Sequence, residues 1–525
     1  VLVSDPIDQA GIDILGQVAQ VDQRTGLSAE ELKSIIGDYD ALMIRSGTQV
    51  TADVIAAADR LRIIGRAGVG VDNVDVPAAT QRGVLVVNSP EGNTIAAAEH
   101  ALALLLSLSR HVPQAHGSMR AGAWDRKKYV GNELYKKVLG VVGLGKIGSH
   151  VARVAKAMGM EVIAFDPFIS ADRAQQMQVR LTTLEDLFRQ ADYITLHIPR
   201  TPDTENLVNA ELLRSMKSTA RIVNCARGGI VDEAALAEAI ENGVIAGAGL
   251  DVYASEPLAE DSPLRAVERG LVLTPHLGAS TEEAQENVAT DVAEQIRDVL
   301  LGLPARSAVN IPGLSAEIME RLKPHLQLAE TLGLLVSQLS GGQVQELEVR
   351  LQGEFALHPS QPLMVAALKG LLTSALGDRI NYVNASLEAK GRGIHVLEVK
   401  DDASRDFAGG SLQLTTRGGQ GGHSVTGAVF ADGELRVTNI DEFPVNVPPS
   451  RHMLFTRHRD MPGIIGHLGS LLGEHNVNIA SMQVGRRIVR GDAVMVLSID
   501  DPIPPALLAT IHGINGIQEA HPVTL

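Results

Sequence analysis

His276 and Glu256 have the residue types of an acid–base pair, and Arg227 has the type of an anion-binding group. Imidazole titrates at about pH 6.5, so His276 can take up and return a proton at neutral pH. A carboxylate partner such as Glu256 would orient the ring and raise its pKa. The guanidinium of Arg227 can bind a carboxylate through two hydrogen bonds and polarise an adjacent carbonyl. Considered one at a time, His276 has a surface histidine as its alternative, Glu256 a solvated charge and Arg227 a structural ion pair.

A second pattern, in residues 138–167, is typical of a dinucleotide-binding site. A strand-like apolar stretch leads into Gly143, Gly145 and Gly148, a helix-like segment follows, and a second apolar run ends at Asp166. The glycines allow a tight turn, a close approach to a pyrophosphate and close packing of helix on strand. A carboxylate at Asp166 would bind the adenine ribose and repel a 2′-phosphate, which favours NAD over NADP. The alternative is a structural glycine turn in another α/β protein.

The elements that would position these groups form a strand–helix alternation. Four strand-like segments each lead into a loop; they are ADYITLHIP, ARIVNCARGG, IAGAGLDVY and GLVLTPHLG. These loops carry Arg227, Asp251, Glu256 and His276. Ligands of open parallel sheets gather at the carboxyl ends of the strands, so we expect these side chains at one edge. Beside a dinucleotide fold, this placement favours hydride transfer from a hydroxyl carbon, with His276 as the base.

The first half of the chain predicts two sheets. The first 95 residues alternate strand and helix patterns, yet the dinucleotide unit begins only near residue 100. A helical stretch at 281–302 could return to the first sheet. We therefore expect an α/β protein with a Rossmann-type, doubly wound NAD domain (98–281) inserted in a flavodoxin-like substrate domain (1–97 and 282–306).

The second half of the chain predicts two smaller domains. A connector at Pro304–Pro312 leads into residues 307–448, an intervening domain expected to be α+β. No motif with a chemical function is visible in this domain, and we interpret it as a structural spacer. Residues 449–525 show the order strand, helix, strand, strand, helix, strand, which predicts a ferredoxin-like module.

Composition narrows the classes of partner. The chain has 525 residues and a net charge of −16, which argues against nonspecific binding of nucleic acid. The longest apolar stretch is far shorter than a bilayer span, so no membrane association is expected. Cys225 is the single cysteine, which excludes an intrachain disulfide and suits a cytoplasmic location. No cluster of cysteine and histidine predicts a metal site.

Three motifs resemble those of the D-isomer-specific 2-hydroxyacid dehydrogenases, a likeness that extends over residues 1–306. They are NCARGGIVDEAALAEAI, GLDVYASEP and LTPHLGAS. The resemblance implies that Arg227 binds the substrate carboxylate and carbonyl, and that His276, paired with Glu256, is the proton donor and acceptor. It also implies a set of contacts to NAD, from Gly143, Gly145, Lys146, Ile147, Gly148, Asp166, Cys225, Ala226, Arg227, Asp251, His276, Gly278 and Ala279.

The N-terminal motifs MIRSGTQVT, GRAGVGVDNVD and NSPEGNTIAAAEHAL resemble family members that oxidise 3-phosphoglycerate at the start of L-serine biosynthesis. The likeness implies that Arg45 and Ser46 bind the substrate phosphate. It implies further that backbone N–H groups of the Gly68–Val69–Gly70 turn bind its carboxylate. A domain-interface ion pair is the alternative for Arg45. Another 2-hydroxyacid dehydrogenase, such as a glyoxylate or hydroxypyruvate reductase, and a dinucleotide-sensing scaffold resembling corepressors remain alternatives.

Residues 452–525 resemble an ACT domain, a regulatory module that binds amino acids, through the segments HRDMPG and NVNIASM. The resemblance implies ligand contacts from Asp460, Gly463 and Asn478 and L-serine as the effector. Residues 315–445 resemble the extra domain of the long forms of the family, without residues that can be carried over. A homotetramer is implied by the same likeness, in which a loop containing Trp124 reaches a neighbouring subunit.

Overall fold

The computed structural model describes residues 1–303, 305–311, 316–342, 344–401, 410–418, 422–431 and 433–525, with side chains omitted for 316–320 and 378. Four sheets of five, seven, six and four strands follow one another along the chain. The predicted α/β class with a Rossmann-type domain, an intervening domain and an ACT domain is confirmed. Part of the connector predicted at Pro304–Pro312 lies outside the described residues.

The first sheet is parallel and has the strand order β2-β1-β3-β4-β5, which is the flavodoxin-like order. Its strands are short and nearly all buried, as expected for a sheet with helices on both faces. The elements are β1 (Leu2–Val3), α1 (Gln9–Gly16), β2 (Asp22–Gln23), α2 (Ala29–Ile35), β3 (Ala41–Ile44), α3 (Ala52–Ala56), β4 (Ile63–Arg66), α4 (Val76–Arg82) and β5 (Leu85–Asn88).

Two helices lead to the second sheet, which is also parallel and has the order β12-β11-β10-β9-β6-β7-β8. The direction in which strands are added reverses at β6 and β9, which is where doubly wound folds bind their ligands. The elements are α5 (Thr94–Arg110), α6 (Val112–Arg120), β6 (Val138–Val142), α7 (Lys146–Ala157), β7 (Glu161–Phe165), α8 (Ala171–Gln176), β8 (Arg180–Leu181), α9 (Leu184–Gln190), β9 (Tyr193–Leu196), α10 (Ala210–Ser215), β10 (Arg221–Asn224), α11 (Glu233–Glu241), β11 (Gly247–Leu250), α12 (Pro263–Ala266) and β12 (Leu271–Leu273).

After the second sheet the chain returns to the first through α13 (Glu282–Leu300). This helix packs against α1 and β4, and its Val288, Val292 and Ile296 join the core of the first sheet. Gly65 on β4 makes this possible, because an added Cβ there would lie 2.5 Å from a methyl group of Val292. The dinucleotide unit is thereby enclosed between two stretches of chain that share one core.

The third sheet is mixed, with the order β14-β13-β15-β16-β17-β18 and a parallel pairing only between β13 and β14. Helices α14 and α15 pack closely, since an added Cβ on Gly333 would lie 2.2 Å from the carbonyl of Ala367. The elements are α14 (Ala316–Leu339), β13 (Glu346–Gln352), α15 (Ser360–Leu376), α16 (Ala385–Gly391), β14 (His395–Asp401), β15 (Ser411–Arg417), β16 (Ser424–Val429), β17 (Leu435–Ile440) and β18 (Phe443–Val447).

The last sheet is antiparallel with the order β20-β21-β19-β22, and the βαββαβ succession predicted for a ferredoxin-like module is confirmed. Its elements are β19 (His452–Arg459), α17 (Ile464–Glu474), β20 (Ile479–Arg486), β21 (Asp492–Ile499), α18 (Pro505–His512) and β22 (Ile517–Thr524). Among the helices of the described residues, none is both long and apolar enough to span a bilayer.

Candidate active site

The glycine loop after β6 has room for a ligand at one glycine only. An added Cβ on Gly148 would lie 1.9 Å from the carbonyl oxygen of Gly143, and one on Gly143 would lie 2.5 Å from that of His197. An added Cβ on Gly145 would meet no protein atom within 4 Å. Gly145 also caps the N-terminus of α7, where backbone N–H groups favour an anion. These three environments fit a loop that folds tightly and offers one glycine to a pyrophosphate.

Asp166 follows β7 and lies beside the glycine loop. Its Oδ2 atom accepts a hydrogen bond from the backbone N–H of Leu144 (2.8 Å), and its Oδ1 atom accepts one from that of Phe168 (2.8 Å). The carboxylate is therefore fixed at the loop that it was predicted to serve, and its contact with the adenine ribose stays a prediction. Lys146, at the start of α7, forms an ion pair with Glu91 of the segment before α5.

His276 and Glu256 come together at the carboxyl end of the second sheet. The Nδ1 atom of His276 lies 2.7 Å from Oε2 of Glu256. The other carboxylate oxygen accepts a hydrogen bond from the backbone N–H of Tyr253 (3.0 Å), so the carboxylate cannot rotate freely. The side chains are 48% and 38% exposed, which leaves the imidazole accessible to a substrate.

Asp251 holds the turn on which His276 lies. Its buried carboxylate accepts hydrogen bonds from the backbone N–H groups of Leu277 (2.7 Å) and Gly278 (2.8 Å). Burial alone would raise the pKa of this carboxyl, but hydrogen bonds from His100, Thr274 and Leu277 outweigh burial and lower the pKa. Asp251 is thus an anion that fixes the turn, and its direct contact with NAD stays a prediction.

Arg227 lies in the loop after β10 and reaches the first domain. Its Nε atom is 3.2 Å from Oδ2 of Asp72, and an added Cβ on Gly70 would lie 2.2 Å from its Nη2 atom. The guanidinium therefore lies against the predicted carboxylate-binding turn, although that turn and Arg227 belong to different sheets. Burial, with a smaller contribution from Asp251, raises the pKa of the neighbouring Cys225 thiol, so this cysteine lacks the thiolate of a nucleophile.

Two cations of the first sheet join Arg227 at this place. Arg45 follows β3, and its backbone N–H donates to Asp5 (2.6 Å), while Ser46 beside it is exposed. Arg66 ends β4, and burial followed by repulsion from Arg227 lowers its pKa to about 10. Among the described residues, neither guanidinium forms an ion pair, and the Nε atom of Arg66 is buried without a hydrogen-bond partner.

Arg66 was missed at the level of the sequence. The signal was present, because Arg66 is the terminal residue of a buried strand that ends at the same edge as Arg45. A charged residue at the carboxyl end of a buried parallel strand is a candidate for ligand binding. The guanidinium of Arg66 occupies the space beside Gly68, since an added Cβ on Gly68 would lie 1.7 Å from Nη1 of Arg66.

The residues predicted to bind an effector lie in the loops on either side of α17 in the last domain, with Asp460 and Gly463 before the helix and Asn478 after it. Asp460 accepts hydrogen bonds from Arg486 (2.9 Å) and from the backbone N–H of Arg490 (3.0 Å), and Asn478 donates to Asp500 (2.7 Å). The hydrogen bonds from Arg490 and Arg486 lower the pKa of Asp460. Gly463 precedes α17 with a φ of 94°, a conformation that favours glycine.

Comparison with protein families gives three matches along the chain. Residues 102–278 match the NAD-binding domain of the D-isomer-specific 2-hydroxyacid dehydrogenases. Residues 321–441 match the intervening domain of D-3-phosphoglycerate dehydrogenase, and residues 452–516 match the ACT domain. The second match distinguishes this chain from family members that lack an intervening domain.

Full-length relatives decide the family. The chain is 64% identical over 526 residues to D-3-phosphoglycerate dehydrogenase of Synechocystis sp., with 100% of this chain and 94% of the relative covered. The chain belongs to the D-3-phosphoglycerate dehydrogenase family. Another member, from Methanocaldococcus jannaschii, is 43% identical over 526 residues, with 100% of this chain and 99% of that one covered. The identity to family members thus extends through all four sheets.

A solved structure resembles the part of the chain that holds the site. The TT0316 protein from Thermus thermophilus has a TM-score of 0.55 and 35% identity, and the match covers 59% of this chain and 99% of that one. The predicted NAD-dependent oxidoreductase class is confirmed by the family and its NAD-binding domain.

Proposed function

We propose that this chain catalyses the NAD-dependent oxidation of 3-phospho-D-glycerate to 3-phosphooxypyruvate, the first step of L-serine biosynthesis. The observation that carries the proposal is the 2.7 Å contact between His276 and Glu256 at the carboxyl edge of the second sheet. Arg227 comes from the same edge, and its charge acts on Arg66 of the first sheet, which Arg45 also approaches. An acid–base group beside several cations suits the oxidation of a hydroxyl group in an anionic substrate. Membership of the D-3-phosphoglycerate dehydrogenase family supports the choice of substrate.

His276 takes the hydroxyl proton in this proposal. The ionised carboxylate of Glu256 can only accept, so the Nδ1 atom of His276 donates and the Nε2 atom is left for the substrate. Glu256 then stabilises the imidazolium that forms, because an opposite charge at this distance favours the charged ring. The nicotinamide of NAD would supply the acceptor for the hydride that leaves the carbon carrying the hydroxyl group. The pyrophosphate of NAD would lie at Gly145, where the loop leaves space.

In this proposal, different arginines bind the carboxylate and the phosphate of the substrate. Arg227, beside the Gly68–Gly70 turn, would bind the carboxylate and polarise the carbonyl that forms. Arg45 and Arg66 would bind the phosphate, because a dianion compensates two guanidinium groups that lack ion pairs among the described residues. Both sets come from the carboxyl ends of parallel strands, so the substrate would lie between the two domains.

The deciding experiment is a steady-state assay of NADH formation from phosphoglycerate and NAD. We expect a kcat/KM for phosphoglycerate at least ~10²-fold above that for unphosphorylated D-glycerate, since binding to charged groups contributes about 1.5–3 kcal/mol for each hydrogen bond. Faster reduction of glyoxylate or hydroxypyruvate than of phosphooxypyruvate would identify a different member of the wider family. Absence of turnover with every 2-hydroxyacid, despite NAD binding, would identify a dinucleotide sensor.

L-Serine is the effector that we propose for the ACT domain. The ammonium group of serine would bind Asp460, and its carboxylate would bind backbone N–H groups at Gly463, where α17 begins. Asp460 already binds Arg486 and Arg490, so serine would compete with Arg486 for the carboxylate. Calorimetric titration of serine into the wild type and Asp460→Ala, followed by inhibition assays, separates binding from its effect on turnover.

We further propose a homotetramer in the cytoplasm. Helix α6 has no buried residue, and large apolar side chains lie exposed on it and after it, including Met119, Trp124 and Val130. Several large apolar side chains exposed on one stretch of chain are a candidate contact surface between subunits. Light scattering coupled to gel filtration measures the subunit number, and Trp124→Ser tests this surface. Localisation of a fluorescent fusion tests the compartment.

A further inference from the structure

His100 lies on α5, outside the residues assigned above to binding or catalysis. Its Nε2 atom is 3.1 Å from Oδ1 of Asp251 and 3.0 Å from the hydroxyl oxygen of Thr274. The side chain of His100 is 19% exposed and that of Asp251 is 1% exposed. The imidazole therefore joins α5 to the two loops that follow β11 and β12, at the carboxyl end of the second sheet.

The direction of these hydrogen bonds follows from the chemistry of the partners. The hydroxyl of Thr274 donates its proton to Oδ1 of Asp251 over 2.6 Å. An ionised carboxylate has no proton to donate, and the threonine oxygen has only lone pairs left for a third group. The Nε2 atom of His100 must therefore carry a proton and donate it to both oxygens.

Asp251 transmits this anchoring to the turn of His276. Its carboxylate binds the N–H groups of Leu277 and Gly278, and its backbone carbonyl accepts the N–H of His276 at 2.8 Å. His276 itself has a φ of 56°, a conformation that non-glycine residues rarely adopt. Such a residue keeps its conformation only where its surroundings hold it, and Asp251 supplies three of the contacts that do so.

We infer that His100 is a positioning residue for the oxidation. By holding Asp251 and Thr274 it fixes the turn that places the imidazole of His276 against Glu256 and the substrate. The kinetic part of this inference rests on the function proposed above. A displacement of about 1 Å at a reacting group can cost ~10²-fold in rate, so a residue that never touches the substrate can limit turnover.

His100→Leu and His100→Gln test the inference as a pair. Leucine removes the donor at similar volume, whereas the amide of glutamine can still donate to Asp251. For His100→Leu we expect kcat to fall ~10–100-fold while KM for phosphoglycerate changes less than about 3-fold. His100→Gln should recover most of kcat, and His475→Leu at the end of α17 is the control for a histidine outside this network. Equal loss in both variants at position 100, or a loss confined to KM, would overturn the inference.

Amide hydrogen exchange gives a readout that is independent of activity. The N–H groups of Leu277 and Gly278 should exchange faster in His100→Leu than in the wild type, with His100→Gln close to the wild type. Thr274→Val removes the second donor without a change in shape and should have the same direction of effect. Exchange of the Leu277 and Gly278 N–H groups that is unchanged in His100→Leu would refute the role of His100. A wild type without turnover would instead refute the proposed function, and the exchange data would still decide on His100.

Discussion

The Nε atom of Arg227 lies 3.2 Å from Oδ2 of Asp72, and this ion pair joins the two domains that lie on either side of the candidate active site. The carboxylate of Asp72 therefore occupies one donor of the group that was predicted to bind the substrate carboxylate. The side chain of Asp72 is 77% exposed and that of Arg227 is 31% exposed, so the ion pair is screened by solvent on its carboxylate side. A substrate carboxylate at the Gly68–Gly70 turn would compete with Asp72 for the same guanidinium.

Asp72→Asn is expected to lower KM for phosphoglycerate. An exposed ion pair contributes about 0–1 kcal/mol, so its removal should lower KM by up to ~5-fold, most clearly at low ionic strength. Steady-state kinetics at low and high salt measures the effect. Glu30→Gln on α2 changes net charge equally without touching Arg227 and is the control. A higher KM in Asp72→Asn would mean that Asp72 helps to bind the substrate.

His276→Ala and Glu256→Gln should separate proton transfer from the stabilisation of the imidazolium. Loss of the imidazole should lower kcat by ~10²–10⁴-fold, the usual contribution of a general acid–base group. Glu256→Gln keeps a hydrogen-bond acceptor at 2.7 Å but removes the charge that stabilises the imidazolium, so a smaller fall is expected. Single-turnover and steady-state kinetics measure the loss of rate in each variant, and His475→Ala is the control. Near-normal turnover of His276→Ala would refute its assignment.

Two substitutions in the glycine loop should have opposite effects on folding and on NAD affinity. Gly145→Ala places its methyl group where no protein atom lies within 4 Å, so the protein should fold normally and lose affinity for NAD. Gly148→Ala places its methyl group 1.9 Å from a backbone oxygen and should destabilise the domain by several kcal/mol. Thermal unfolding and fluorescence titration with NADH measure the two effects. Equal destabilisation by both would show that the space at Gly145 is not kept for a ligand.

The sequence predicted the groups that belong to a local pattern or to the end of a strand. Gly145 and Gly148 depend only on their own loop, and the contact of His276 with Glu256 needs only two neighbouring strand ends. Gly143 belongs to the same local pattern, although it also lies against the carbonyl of His197. Arg66 ends a buried strand and so carried a signal of this kind, but only the structure shows that Arg227 faces it. His100 could not be found in this way, because its role depends on Asp251, which faces it from another element, and residue spacing carries no such information.

The intervening domain shows a second limit of sequence-based prediction. Its α+β class was expected, but the parallel pairing of β13 with β14 joins Glu346–Gln352 to His395–Asp401 across two helices. Long-range pairing of this kind has no local signature. The close contact of α14 with α15 at Gly333 likewise shows in the sequence only as a glycine within an apolar helix.

Arg66→Met should impair substrate binding while it leaves or improves stability. Loss of a charge-assisted hydrogen bond costs about 1.5–3 kcal/mol, so KM for phosphoglycerate should rise ~10–100-fold. Removal of a half-buried cation without an ion pair should keep or raise Tm, since methionine fills the space without a desolvation cost. Kinetics and thermal unfolding of the same preparation check both effects. Arg62→Met, which removes contacts to the end of α13, is the control and should lower Tm without changing KM.

His423 and Asp441 should make stability depend on pH. Their hydrogen bond, 3.2 Å between Nδ1 and Oδ2, raises the pKa of His423 above its ordinary value despite burial. A histidine with a raised pKa stabilises the folded state fully below its unfolded pKa, and this contribution is lost as pH rises through the folded pKa. The free energy of unfolding of the wild type relative to His423→Gln should therefore decline between about pH 6 and pH 8. Urea unfolding of both proteins across this range measures the difference. A difference that is constant or increases with pH would show that His423 is not stabilised as a cation.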